Sequence, residues 1–220
     1  MPVVLRGPRL RLARLKLSEK LLDLGEEIRG VYVPYPREME RVVNLYARGE
    51  VGWDRVVEEA RRGMPEFYRG WLWVEEPLIR SLRVLGARVA CYGDKLEGLY
   101  RSAGEFLSAL LRVRVTGEVR LEEWRKLLSR SEVPVREGYV TVSSFSVPGA
   151  TNVDVWGLPY PPTDEPDVGS EGWVRELVEY VFDYLVTSRN VDEAYVKWLR
   201  ERRGVRAREL EEMLSILPGD

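Results

Sequence analysis

Four short runs rich in β-branched and aromatic residues, each cut off by glycine, proline or serine, constrain this chain more than any other feature. They are Val3-Val4-Leu5, stopped at Gly7-Pro8; Val31-Tyr32-Val33, stopped at Pro34-Tyr35-Pro36; Arg88-Val89-Ala90-Cys91, stopped at Tyr92-Gly93-Asp94; and Gly138 to Ser143. Such runs read as strands. Between them lie segments of helical spacing: Leu21, Leu22, Leu24 and Ile28 behind a capping Ser18, then Met39 to Tyr46, Trp53 to Arg62, and Leu78 to Leu85. Strand and helix in alternation indicate parallel strands joined by helical crossovers. The expected fold is α/β: a Rossmann-like, mostly parallel sheet with helical crossovers, followed by a C-terminal helical segment.

The boundaries follow from composition along the chain. Residues 1–150 form the expected α/β domain, and 151–172 form a Pro/Gly-rich connecting loop carrying Trp156 and Tyr160. A loop of this length inside a compact domain is unusual, and latching of its aromatics to the core is favoured over partner binding. Residues 173–220 form helices at Trp173–Val186, Val191–Arg202 and roughly 206–217, with Asn190 and Glu193 spaced as a capping pair. Phe67–Val74 reads equally as strand or helix. Val113–Val119 either extends the helix that follows Asp94 or forms a hairpin arm.

Composition removes whole chemistries. Among 220 residues there is no histidine and one cysteine, Cys91. That excludes a Ser-His-Asp or Cys-His nucleophile system, an imidazole metal ligand and a structural zinc site within one chain. The net charge of −2 argues against a duplex nucleic-acid binder. No window is long and apolar enough for a membrane span, and no signal peptide is evident, so a cytoplasmic protein is expected. The absence of glutamine and the abundance of Arg and Glu fit a thermophilic origin.

In an open parallel sheet the strand carboxyl ends share one edge, where helix N-termini offer N–H groups to anions. The expected ligand-binding residues are therefore Gly7, Arg9, Tyr35, Arg37, Tyr92, Asp94, Ser143, Ser144 and Ser146. Arginine suits a phosphate or carboxylate, tyrosine stacks or donates, and serine donates. Turns and caps account for the same residues without a ligand, and Asp94 in particular reads as a helix cap with Gly93 leaving room for close approach. Arg6, Arg9, Arg11, Arg14 and Lys16 precede the first acid, Glu19, and read as a basic face over an apolar one. The acid pairs, Glu75-Glu76 among them, point apart on a helix and chelate poorly. There is no dinucleotide fingerprint and no phosphate loop.

The Gly7 loop after the first strand and Tyr92-Gly93-Asp94 after the third resemble α/β families such as the TraB and erythromycin-esterase-like proteins. Those rely on histidines that this chain lacks, so the resemblance implies no activity. Three functional expectations follow, and the residues name neither a catalytic set nor a cofactor. The first is a non-catalytic regulator binding a small anionic or nucleotide-like ligand at the strand carboxyl ends. The second is a structural or protein-interaction module, a homodimer included, acting through the Pro-rich loop and C-terminal helices. The third is a carboxylate-dependent, metal-assisted hydrolase or nuclease.

Overall fold

The computed structural model describes residues 1–25, 28–128, 132–164, 169–205 and 208. Its sheet has five strands, all parallel, in the order β3-β2-β4-β1-β5: β1 (Val3–Arg6), β2 (Gly30–Val33), β3 (Arg88–Cys91), β4 (Tyr139–Ser143) and β5 (Thr151–Asp154). The helices are α1 (Arg11–Leu24), α2 (Glu40–Ala47), α3 (Trp53–Gly63), α4 (Tyr68–Leu85), α5 (Leu96–Thr116), α6 (Leu121–Leu127), α7 (Glu171–Glu179) and α8 (Val191–Arg202). No helix among the described residues is long and apolar enough to cross a membrane.

The chain divides into two compact units, Met1–Gly104 with Arg130–Gly157, and Glu105–Ser129 with Leu158–Asp220. In the first, side chains alternate across each strand. Leu5, Val31, Val33, Val89, Cys91, Val140 and Val142 point to one face and form a buried cluster with α1 to α4. The opposite face therefore carries Val4, Arg6, Tyr32, Ala90, Tyr139, Thr141, Ser143, Asn152 and Asp154. Part of its cover is the chain before β4, where the Thr141 hydroxyl donates to Pro134 O at 2.7 Å.

Two elements depart from the sequence expectation. β5 falls inside the stretch read as a connecting loop: Thr151–Asp154 is short, polar and mostly exposed, so it lacks the apolar alternation that marks a strand. Its pairing comes from β1, through Thr151 N–H to Pro2 O at 2.9 Å and Val155 N–H to Arg6 O at 3.0 Å. Only seven residues, 144–150, join β4 to β5. From the level of Arg6 back to that of Val3 they must retrace about 10 Å along the strand and about 10 Å across the sheet, within the roughly 23 Å that seven extended residues span. Asn152 fastens this connector: its side chain accepts from Val147 N–H at 2.8 Å and donates to Val147 O at 3.0 Å.

The second departure is α1, which starts at Arg11 rather than at a Ser18 cap. Ser18 lies mid-helix, its hydroxyl donating to Arg14 O at 2.6 Å. Of Phe67–Val74, all but the capping Phe67 belongs to helix α4, and Val113–Val119 extends α5 as far as Thr116. Pro77 sits within α4. A proline there cannot donate to the carbonyl four residues back, which is that of Trp73. Arg11 of α1 supplies the missing donor, its guanidinium bonding Trp73 O.

Strand β3 ends the sheet on one side, and such an edge exposes backbone groups that invite pairing with another chain. Here α2 covers them. Asn44 accepts from Val89 N–H at 2.9 Å and donates to Val89 O at 2.6 Å, and Glu40 accepts from Cys91 N–H at 2.8 Å. Asn44→Ala removes a donor and an acceptor together and is expected to destabilise the protein by about 1–3 kcal/mol. A urea unfolding curve unchanged in midpoint would refute that role.

The second unit is helical. Its core gathers Ala109, Leu110, Val113, Trp124, Val174, Leu177 and Val178. Ser170 caps α7 by accepting from Trp173 N–H at 3.2 Å. The segment expected as one helix, Trp173–Val186, is α7 followed by a π turn at Tyr180–Leu185. Asn190 caps α8, accepting from Glu193 N–H at 2.9 Å, as the spacing implied. The helix expected near 206–217 lies outside the described residues, apart from Arg208.

Candidate functional site

Because every strand is parallel, the carboxyl ends of all five lie along one edge of the sheet. The register varies along that edge. β2 and β4 pair only as far as Tyr32 and Thr141, whereas β4 and β1 continue to Ser143 and Arg6, and β2 and β3 to Val33 and Cys91. Beyond Thr141 the ladder between β2 and β4 stops, one residue short of the end of β2. Tyr92, arriving from the end of β3, reaches across the end of β2, and its hydroxyl donates to Val142 O at 2.7 Å. Burial pushes the Tyr92 phenol up to about 12, against the pull of the Ser143 hydroxyl and of the Arg14 and Arg9 guanidiniums. At neutral pH it is a neutral donor.

The loop after β1 delivers the cations. Gly7 N–H donates to Ser143 O at 3.1 Å, and Gly7 lies against Leu17, where a Cβ would come within 3.1 Å of a methyl group. The chain thus turns tightly from β1 into α1, whose first turn holds no acid. Arg9 is exposed at this turn. Arg6 lies in register between Ser143 of β4 and Asp154 of β5, so hydroxyl, guanidinium and carboxylate stand abreast on adjacent strands.

Arg11 and Arg14, read from sequence as part of a basic surface face, are instead buried against α4. Arg14 makes a two-pronged ion pair with Glu75, Nε to Oε2 at 2.7 Å and Nη2 to Oε1 at 2.9 Å, with both side chains at or below 5% exposure. Arg11 pairs with Glu76 at 3.2 Å and lies over the Trp73 ring at 5.3 Å. Burial works against the Glu76 carboxylate, but Arg80 and Arg11 outweigh it and hold its carboxyl below the usual range. The pair Glu75-Glu76 is therefore an arginine clamp between α1 and α4. Among the described residues, no three cysteine, aspartate or glutamate side chains are grouped to hold a metal.

The nine expected site residues sort into four sets. The Ser143 hydroxyl and the Arg9 charge both act on the Tyr92 phenol. Ser144 is buried beside them in sequence, while Ser146 is exposed on the connector and Gly7 serves the turn. Arg37 and Asp94 are exposed at the ends of β2 and β3. Between them Glu38 accepts from Leu96 N–H at 3.3 Å, meeting the first turn of α5. Tyr35 is a correction. It is fully buried, edge-on to Trp71 at 5.3 Å, and burial together with Glu75 raises its phenol well above the ordinary value. Its hydroxyl lies against the Glu75 carboxylate without closing a regular hydrogen bond, and a core side chain cannot meet a ligand from solution.

Gly93 is accounted for by the protein itself. A Cβ there would lie 2.6 Å from Tyr35 O and 2.8 Å from the Tyr35 carbonyl carbon, so the close approach it permits is that of the neighbouring strand end. Gly93 N–H donates to that same oxygen at 3.0 Å. Trp156 and Tyr160 are buried at 2% and 6% exposure, and Lys16 lies over the Trp156 ring at 5.0 Å. Arg14 and Glu75 also act on the Tyr92 phenol, while Arg6 and Asp154 stand in register with Ser143, and no local motif marked the acids. Their roles come from register and from helix packing between residues far apart in sequence. The chain matches no family model, no curated protein and no solved structure.

Proposed function

We propose that the sheet-bearing unit binds a small anionic, nucleotide-like ligand at the carboxyl ends of its strands and acts as a non-catalytic regulator. The observation that supports this reading most is the early end of the β2–β4 ladder together with the acid-free first turn of α1, where Arg9 and Ser143 act on the Tyr92 phenol. Such an edge in an α/β sheet is where anions meet helix N–H groups and strand-end side chains. A guanidinium supplies charge and paired donors for a phosphate, and a neutral phenol and a hydroxyl supply orientation. The carboxylates nearby that are tied up in arginine pairs, Glu75 and Glu76, favour binding over metal-assisted hydrolysis.

Thermal denaturation with inorganic phosphate, purine nucleotides and cyclic dinucleotides tests the reading. A ligand at a hundred times its Kd stabilises the folded state by about 2.7 kcal/mol, enough for a clear rise in Tm. Arg9→Glu is expected to abolish that rise while leaving the Tm of the unliganded protein near that of the wild type, because Arg9 is exposed. A rise that survives Arg9→Glu places the ligand elsewhere.

A further inference from the structure

A different surface, at the other end of the same sheet, carries its own chemistry. On the face turned away from α1 to α4, the Tyr139 ring lies over Gly30, where a Cβ would come within 2.4 Å of it. Tyr32 lies next to it, with centroids 5.1 Å apart and planes inclined by 34°. Both rings are half-buried.

Three exposed arginines surround the pair. The Arg136 guanidinium sits 5.1 Å from the Tyr139 centroid. Arg29 lies along Gly138, where a Cβ would meet its side chain at 3.0 Å. Arg88 occupies the cross-strand row of Gly30 and Tyr139. Many arginines elsewhere in the chain pair with carboxylates, as at Arg48, Arg55, Arg62, Arg80, Arg101, Arg120 and Arg125; what sets Arg29, Arg88 and Arg136 apart is that they gather around two half-buried tyrosine rings. Among the described residues, no carboxylate pairs with Arg29, Arg88 or Arg136. The acid adjacent in sequence, Glu137, faces the Met1 amino group at 3.6 Å.

We infer that Tyr32, Tyr139, Arg29, Arg88 and Arg136 form a binding platform for single-stranded nucleic acid. Unstacked bases lie on aromatic rings whatever their identity, because each has a π face, while guanidiniums take the phosphates. A duplex keeps its bases stacked on one another and leaves the rings unused. An acidic peptide would meet the arginines and gain nothing from the tyrosines. The chain's overall charge of −2 does not oppose a local cluster of this kind, since exposed charges beyond about 8–10 Å are screened at physiological salt.

The test is fluorescence anisotropy of the full chain with a labelled oligodeoxythymidine of about a dozen nucleotides, across a range of salt. Binding is expected to weaken as salt rises, with a log–log slope of about −2 for three phosphate contacts on a single strand. The double charge reversal Arg88→Glu with Arg136→Glu should weaken it at least about tenfold and flatten the slope. Tyr32→Leu keeps an apolar side chain on the strand and should weaken binding about tenfold with the slope unchanged. Arg9→Glu should leave binding intact, which separates this surface from the strand-end site. No binding at low salt, indifference to the arginine reversals, or equal affinity for duplex DNA or polyglutamate overturns the proposal.

Discussion

Glu75→Ala is expected to lower the stability of the protein by about 3–5 kcal/mol, because it strands a buried arginine. Arg14 is 1% exposed and its guanidinium meets Glu75 through two bonds of 2.7 and 2.9 Å. Removing the carboxylate leaves the desolvation cost of the cation in place and takes away the charge that offsets it. The pair replaced together, Arg14→Met with Glu75→Leu, should recover most of the loss, since well-packed apolar residues often serve as well as a buried ion pair. Urea unfolding with a constant slope measures both. A single mutant within about 1 kcal/mol of the wild type, the usual worth of an exposed pair, would mean that water reaches the clamp.

The second large effect belongs to the helical unit. Trp124→Ala is expected to cost about 3–5 kcal/mol, the range for truncating a large core aromatic. Trp124 is 1% exposed and stands edge-on to Phe106 at 5.6 Å and to Trp173 at 6.3 Å. It is the fully buried side chain that α6 contributes to the cluster with α5 and α7, where Leu121 and Leu127 of α6 also pack. Trp124→Phe, which keeps a ring in place, should lose less than half as much by the same measurement. Equal losses for the two variants would show that the indole itself, rather than its bulk, is what the cluster requires.

Residues whose role is local were legible in the sequence. The β-branched runs at Val31–Val33 and Tyr139–Ser143 announce strands, and Asn190 announces a cap, because backbone preference and side-chain type coincide there. Residues whose role is set by a distant partner were not. Arg11 and Arg14 look like surface charge until α4 brings Glu76 and Glu75 to them from more than sixty positions away. Thr151–Asp154 looks like loop until β1 offers it a ladder. Tyr35 looks like a ligand contact at a strand end, and it is buried because the chain after β2 turns inward onto Trp71 of α4. The common edge of the strands followed from their alternation with helices. Which side chains on that edge meet one another did not, because strand order and register are properties of the assembled sheet.

That order bears on how the chain acquires its structure. β1 comes before the other four strands of this sheet, and among the described residues it pairs with β4 and β5 alone: Val3 meets Val140 on one side and Thr151 on the other. On the ribosome, Val4 and Leu5 therefore wait for nearly the whole first unit to emerge before any strand lies beside them. Ladders closed over such sequence separations carry a large loop-closure cost before they return any stability, and they make folding slow. Until β4 arrives, β1 is a sticky apolar thread, and its protection in the meantime falls to α1, which follows it by only four residues.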